Sequence, residues 1–183
     1  MLHHFETSQW VPFPVELVFA FFANPSNLPH LSPPAMATRI DDIRIQSPPE
    51  RPLAEDPARR FHSVAAGAGT GLNISFQPFA WIPRRVSWLA TITEFEWNSH
   101  FCDEQVRGPF QRFRHRHGIQ AETRDWTEGT LVSDEIEYAL PFGWIGSLGG
   151  LLVQRSLARS FAYRQKRLPE ILAAAARQAT RRT

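Results

Sequence analysis

The sequence predicts an α+β fold: a curled antiparallel sheet of about six or seven strands around one long C-terminal helix, with two short helices after the first strand. Three observations predict it. Leu148, Leu151, Leu152, Arg155, Ala158, Phe161, Ala162 and Leu168 recur mostly at three- and four-residue steps, the period of an amphipathic helix over 147–183. No earlier stretch supports a helix of that length. Between Thr38 and Leu140 the pattern is instead one of short alternating strands broken by glycine, proline and asparagine. A long helix needs a surface on which to bury its apolar stripe, and the concave face of a curled sheet supplies one.

The elements follow in order. Residues 2–11 form a first strand, with Phe5, Thr7 and Gln9 on one face and Glu6, Ser8 and Trp10 on the other. Pro12 and Pro14 end it, and Pro14 suits the first turn of a helix. Val15, Val18, Phe19 and Phe22 share a face of that helix, which Asn24-Pro25 stops. Residues 26–30 make a second short helical turn before Pro33-Pro34. Residues 38–46 read as a strand, 47–58 as an exposed loop with four prolines, and 60–66 as a strand. Gly67, Gly69 and Gly71 mark a turn or bulge, and Leu72, Ile74 and Phe76 alternate with polar residues in the next strand. Residues 86–97, 101–106, 110–121 and 130–140 complete the strands, with turns at Asn98-Ser99 and at 125–129. Pro169 is expected to kink or interrupt the last helix.

Composition narrows the class. The 183 residues suit one domain, 1–183. Phe is common at 14 and Trp at 6, against only 2 Tyr, which favours an apolar interior or pocket over a polar active site. The formal net charge of +2 selects no partner. One cysteine, Cys102, excludes an intramolecular disulfide. There is no signal-peptide pattern and no apolar run long enough for a membrane helix, so a cytoplasmic location is expected. Arg155, Arg159, Arg164, Lys166, Arg167, Arg177, Arg181 and Arg182 read as the solvated face of the helix, and no nucleic acid partner is expected.

The most informative stretch is 101–119. Alternation puts Phe113, His115, His117 and Ile119 on one face and Arg112, Arg114 and Arg116 on the other. Three arginines belong in solvent, so the histidines face the concave side. On the partner strand Asp134, Ile136, Tyr138 and Leu140 share a face, with Glu135 and Glu137 opposite the arginines. A hairpin closed near 127–129 would bring Tyr138 near His115 or His117. His-x-His spacing suits zinc, but the sequence offers no clear third ligand: Cys102, Asp103 and Asp134 qualify by geometry alone, and no metal or other cofactor is expected. The loop Phe79, Trp81, Ile82 with Arg84 and Arg85 reads as a lid, as plain packing, or as a transient membrane contact. Nucleophile-elbow, phosphate-loop, dinucleotide and Cys-x-x-Cys motifs are all lacking.

The residues also resemble a known superfamily. Phe5 to Phe19, with Pro14-x-Glu16-x-Val18-Phe19, and Phe22-x-Asn24-Pro25-x-Asn27-Leu28 are similar to the opening of START-like, or SRPBCC, proteins. Asp103-x-Gln105-x-x-Gly108-Pro109-Phe110, His115-x-His117 and Tyr138-x-Leu140-Pro141-x-Gly143 resemble a ligand-binding bacterial branch of it, which also occurs fused to epimerase-like domains labelled cell-division inhibitors. That branch has Trp-x-His-x-His where this chain has Phe113. The resemblance implies the helix-grip fold, seen in polyketide cyclases and the birch-pollen allergen. It also implies an apolar cavity between sheet and last helix that takes a lipid, quinone or polyketide-like molecule.

The expected lining is Phe76, Trp88, Leu89, Phe95, Phe113, His115, His117, Tyr138, Leu152 and Phe161. Binding or transport of a hydrophobic small molecule is the first expectation. The alternatives are a cyclase, hydratase or hydrolase with His115, His117, Tyr138 and Asp134 as its catalytic groups, and a protein-interaction module. Oligomeric state is open.

Overall fold

The computed structural model describes residues 1–54, 56, 59–61, 63–78, 84–141 and 145–180, without the side chains of 145–148 and 178–180. Strand β1 (Leu2–Val11) leads into helix α1 (Val15–Phe22), a 3-10 turn Pro25–Asn27, helix α2 (Leu28–Leu31) and a second 3-10 turn Pro34–Met36. Strands β2 (Arg39–Arg44), β3 (Gly71–Phe76), β4 (Val86–Glu96), β5 (His100–Arg107), β6 (Arg112–Arg124) and β7 (Thr127–Ala139) follow, and helix α3 (Ile145–Thr180) closes the chain. The seven strands form one antiparallel sheet in the order β1-β7-β6-β5-β4-β3-β2. Sequential hairpins explain β2 to β7, and β1 adds to β7 at the far edge.

The main core lies where α1 and the second half of α3 meet the sheet. Val11, Val18, Phe19, Ile119, Leu168 and Leu172 are almost fully buried there. A second cluster of Phe113, Ile136, Tyr138 and Phe161 sits under the first half of α3. A bulge between Ile92 and Glu94 shifts the register of β4 against β5. One extra residue exchanges the two faces of a strand, so Phe95 turns inward to oppose Phe101 and meet Phe19.

Several expectations change. Residues 60–66 form no strand among those described; their polar groups turn to the end of α1 and the preceding loop. Ser63 Oγ donates to Ala20 O, Ala66 N–H to Ala23 O and Gly67 N–H to Gln46 O. This satisfies carbonyls that a helix end leaves free. The β6–β7 turn lies at Asp125 and Trp126, both at positive φ (46° and 62°), not at 127–129. Positive φ at both central residues is one of the backbone forms in which a two-residue hairpin turn matches the strand twist.

Helix α3 runs through Pro169 without interruption. Proline lacks the N–H that would bond Gln165 O, and Gln9 supplies the missing donor, its Nε2 lying 2.8 Å from that carbonyl. Gln165 returns the contact, donating through Nε2 to Thr7 Oγ1 at 2.8 Å. Replacing Gln9 by Ala should therefore cost about 1 kcal/mol, read from urea unfolding. The same replacement in a Pro169→Ala background should cost clearly less, because the helix then fills its own carbonyl.

Candidate functional site

Three central strands each send side chains into the concave face at one level. Register sets Asp103 of β5 opposite His115 of β6, Phe101 opposite His117, and His117 opposite Asp134 of β7. Arg164 descends from α3 to close the group. His115 Nε2 lies 2.9 Å from Asp134 Oδ1, His117 Nδ1 3.1 Å and Arg164 NH1 3.1 Å from the same oxygen. The His117 contact is bent away from hydrogen-bond alignment, and Arg164 NH2 finds no hydrogen-bond partner among the described residues. On the far side, His115 Nδ1 and His117 Nε2 each stand 3.9 Å from the Asp103 carboxylate. Asp134 is the most enclosed side chain at 5% exposure and Asp103 the least at 25%.

Rings wall the cluster. Phe101 stacks on His117 with centroids 4.2 Å apart, and Phe161 lies 5.8 Å from His115. The Arg164 guanidinium sits 4.6 Å above the Phe22 ring and 5.2 Å from Phe161. Such contacts offset part of a buried cation's lost hydration.

The electrostatics follow from burial against pairing. Burial pushes the Asp134 carboxyl upward, but Arg164 and the hydrogen-bonding histidines outweigh it and hold the group well below the usual carboxylate range. Asp103 is likewise raised by burial and lowered overall by His117 and His115. Burial lowers His117, yet the two carboxylates raise it above its ordinary value. Burial and the neighbouring His117 charge lower His115. Counting Asp103 and Asp134 as anions and His117 and Arg164 as cations, the cluster is neutral when His115 is uncharged.

The structure brings together His115, His117 and Asp134 as the sequence suggests, and adds two residues that the reading missed or undervalued. Asp103 stands close enough to both histidines for a third donor to be present after all. Arg164, assigned above to the solvated helix face, is buried. Its signal was present: Val153, Leu157, Phe161, Arg164, Leu168 and Leu172 follow at steps of four and three and form the inner stripe of α3. Cys102 points away from Asp103, as neighbours on a strand must. It therefore stands on the face opposite the cluster, and burial pushes its thiol up to about 11.

Other expected residues fall elsewhere. Tyr138 pairs with Phe113 of β6 and with His3 of β1, on which its ring stacks, rather than with His115 or His117, and its hydroxyl donates to Gly150 O at 3.4 Å. Leu89 opposes Asn73 and Arg107 on the face away from Trp88, so it does not line the interior. Leu152 is 57% exposed, one step off the inner stripe. Phe95 belongs to the Phe19 cluster with Trp97. Phe76, Trp88, Phe113 and Phe161 do face inward, but they pack on one another: Trp88 and Phe113 are 4.5 Å apart and Phe76 and Trp88 5.9 Å. The loop Phe79, Trp81, Ile82 lies outside the described residues.

A cavity lies away from the first half of α3. About 1010 Å³ opens between α1, α2, the 60–63 segment and the second half of α3. Leu17, Ala20, Phe21, Phe61, Ile171 and Ala174 supply apolar walls, with His30, Arg60 and Tyr163 among the polar ones. None of the ten expected lining residues touches it.

Sheet order, terminal helix and paired short helices together make the helix-grip fold. Solved structures share it. A START superfamily protein from Mycobacterium smegmatis superposes with a TM-score of 0.59 at 12% identity, covering 94% of this chain and 98% of that one. Norcoclaurine synthase from Thalictrum flavum, held with a transition-state analogue, gives 0.60 at 10% identity over 95% and 96%. The ZhuI aromatase/cyclase from a Streptomyces species gives 0.58 at 15% over 100% and 96%. No protein-family model matches the sequence, and no curated protein matches it either. None of the helices described is long and apolar enough to cross a membrane.

Proposed function

We propose that the protein binds a hydrophobic small molecule of lipid, quinone or polyketide type, and that the ligand occupies the space between α1, α2 and the second half of α3. The observation that carries this reading is the cavity of about 1010 Å³ with mainly apolar walls. Drug-sized and larger ligands sit in pockets of roughly 300–1,000 Å³ whose few polar groups fix orientation. Here His30, Arg60 and Tyr163 are suited to a polar end, while Leu17, Phe21 and Ile171 face the apolar body. The fold is shared with a START superfamily protein and with an aromatase/cyclase, which is consistent with an apolar cargo.

Native mass spectrometry of freshly purified protein, followed by organic extraction, identifies any ligand carried through purification. A bound lipid, quinone or polyketide is the expected result. Ala174→Trp would fill the cavity and should weaken binding of that ligand about tenfold or more, with the unfolding midpoint nearly unchanged. Unaltered affinity would place the ligand elsewhere, under the first half of α3.

A further inference from the structure

Asp103, His115 and His117 surround a point that no hydrogen bond fills. One donor atom from each lies within 4.8 Å of the other two. His115 Nδ1 is 3.9 Å from Asp103 Oδ2, and His117 Nε2 is 3.9 Å from Asp103 Oδ1. Both separations exceed the roughly 3.2 Å limit of a good hydrogen bond. They suit two ligands of one ion, since nitrogen and oxygen donors sit about 2.0–2.2 Å from zinc and so stand about 3–4 Å apart around it.

The opposite nitrogens leave the inner pair open to a cation. His115 Nε2 and His117 Nδ1 both face Asp134 Oδ1, at 2.9 and 3.1 Å. An ionised carboxylate only accepts, so these two nitrogens carry the ring protons. With both rings neutral, His115 Nδ1 and His117 Nε2 present lone pairs towards the anionic Asp103, and a cation bound there takes the place of the second proton of His117.

A carboxylate behind each ligating imidazole is also what metal sites use to fix tautomer and ring direction. Asp134 does this for both rings, and Arg164 at 3.1 Å neutralises it, leaving Asp103 as the donor with free charge. Asp103 is the least enclosed of the set, so it has room to close the last few tenths of an ångström.

We propose that Asp103, His115 and His117 form a three-ligand site for a first-row divalent cation such as Zn²⁺ or Co²⁺, in the interior beneath α3. Two nitrogens and one carboxylate oxygen leave at least one coordination position free, as in open rather than structural sites. The site is independent of the cavity assigned to the hydrophobic ligand.

The test uses the full chain after dialysis against a chelator. Titration with Co²⁺ alone should give one equivalent bound per chain, a visible absorption band, and loss of that band on adding Zn²⁺. Asp103→Asn keeps the side-chain shape and should weaken Co²⁺ binding by about tenfold to a hundredfold. His117→Gln should do the same, with circular dichroism confirming that each variant is folded. His4→Ala removes an exposed histidine of β1 that belongs to neither site and should leave the titration unchanged. If wild-type protein binds no equivalent of Co²⁺, or binds it undiminished in both Asp103→Asn and His117→Gln, the proposal is overturned, and a proton or a water fills the gap.

Discussion

Replacing Asp134 by Ala is expected to cost about 3–5 kcal/mol, measured by urea unfolding at neutral pH with chelator present. The carboxylate is 5% exposed and a single oxygen serves Arg164, His115 and His117. Its removal leaves a guanidinium that is itself almost buried without a counter-ion, and at least one histidine N–H without an acceptor. Desolvated charge without a partner is among the largest single penalties a core can carry. A double variant, Asp134→Leu with Arg164→Met, should recover much of the loss, because an apolar replacement of a whole buried pair is often neutral or better. A single-variant cost under about 1 kcal/mol would mean that water reaches the cluster.

The pH dependence has a definite sign. The Asp134 carboxyl is held well below its unfolded value. Its contribution is therefore complete above about pH 4 and is lost as pH falls towards the folded value. The gap between wild type and Asp134→Ala should narrow in acid.

The second large effect is expected at Phe19. Its ring is fully buried, with Phe95, Trp97 and Phe101 at centroid distances of 5.4, 5.4 and 6.2 Å. Phe19→Ala should lower stability by about 3–5 kcal/mol, since three rings lose a partner and the surrounding sheet cannot collapse into the gap. Leu152→Ala supplies the contrast. A side chain 57% exposed should change stability by no more than about 0.5 kcal/mol. A comparable loss at both positions would contradict the burial of α3 described here, and would restore Leu152 to the interior.

These sites also separate what the chain carries locally from what folding adds. Alternation in β6 and β7 was readable because one face of each strand is charged and the other apolar or histidine-bearing; a period of two needs no knowledge of partners. The outward pairing of Arg114 and Arg116 with Glu137 and Glu135 followed in the same way, and the register bears it out. The long terminal helix was legible from its three-and-four spacing, and the short helices from their prolines. Together these determine the helix-grip architecture.

Tertiary structure decided the rest. Arg164 looked solvated because its charge outweighed its place on the inner stripe, and only Asp134 on another element makes its burial affordable. Phe95 turned inward because of a bulge that no local pattern announces. Pro169 stays helical because Gln9, 156 residues away in sequence, offers the donor that the helix lacks. Asp103 joined the histidines through strand register, since the spacing from 103 to 115 says nothing until β5 and β6 are aligned. Among the described residues, Phe76, Trp88 and Phe113 pack on one another in the interior expected to be open, and a cavity lies on the other side of α1. Sequence periodicity specifies which face of an element is apolar. Which atoms fill the space between two such faces depends on contacts between residues far apart in the chain, and these exist only once it has folded.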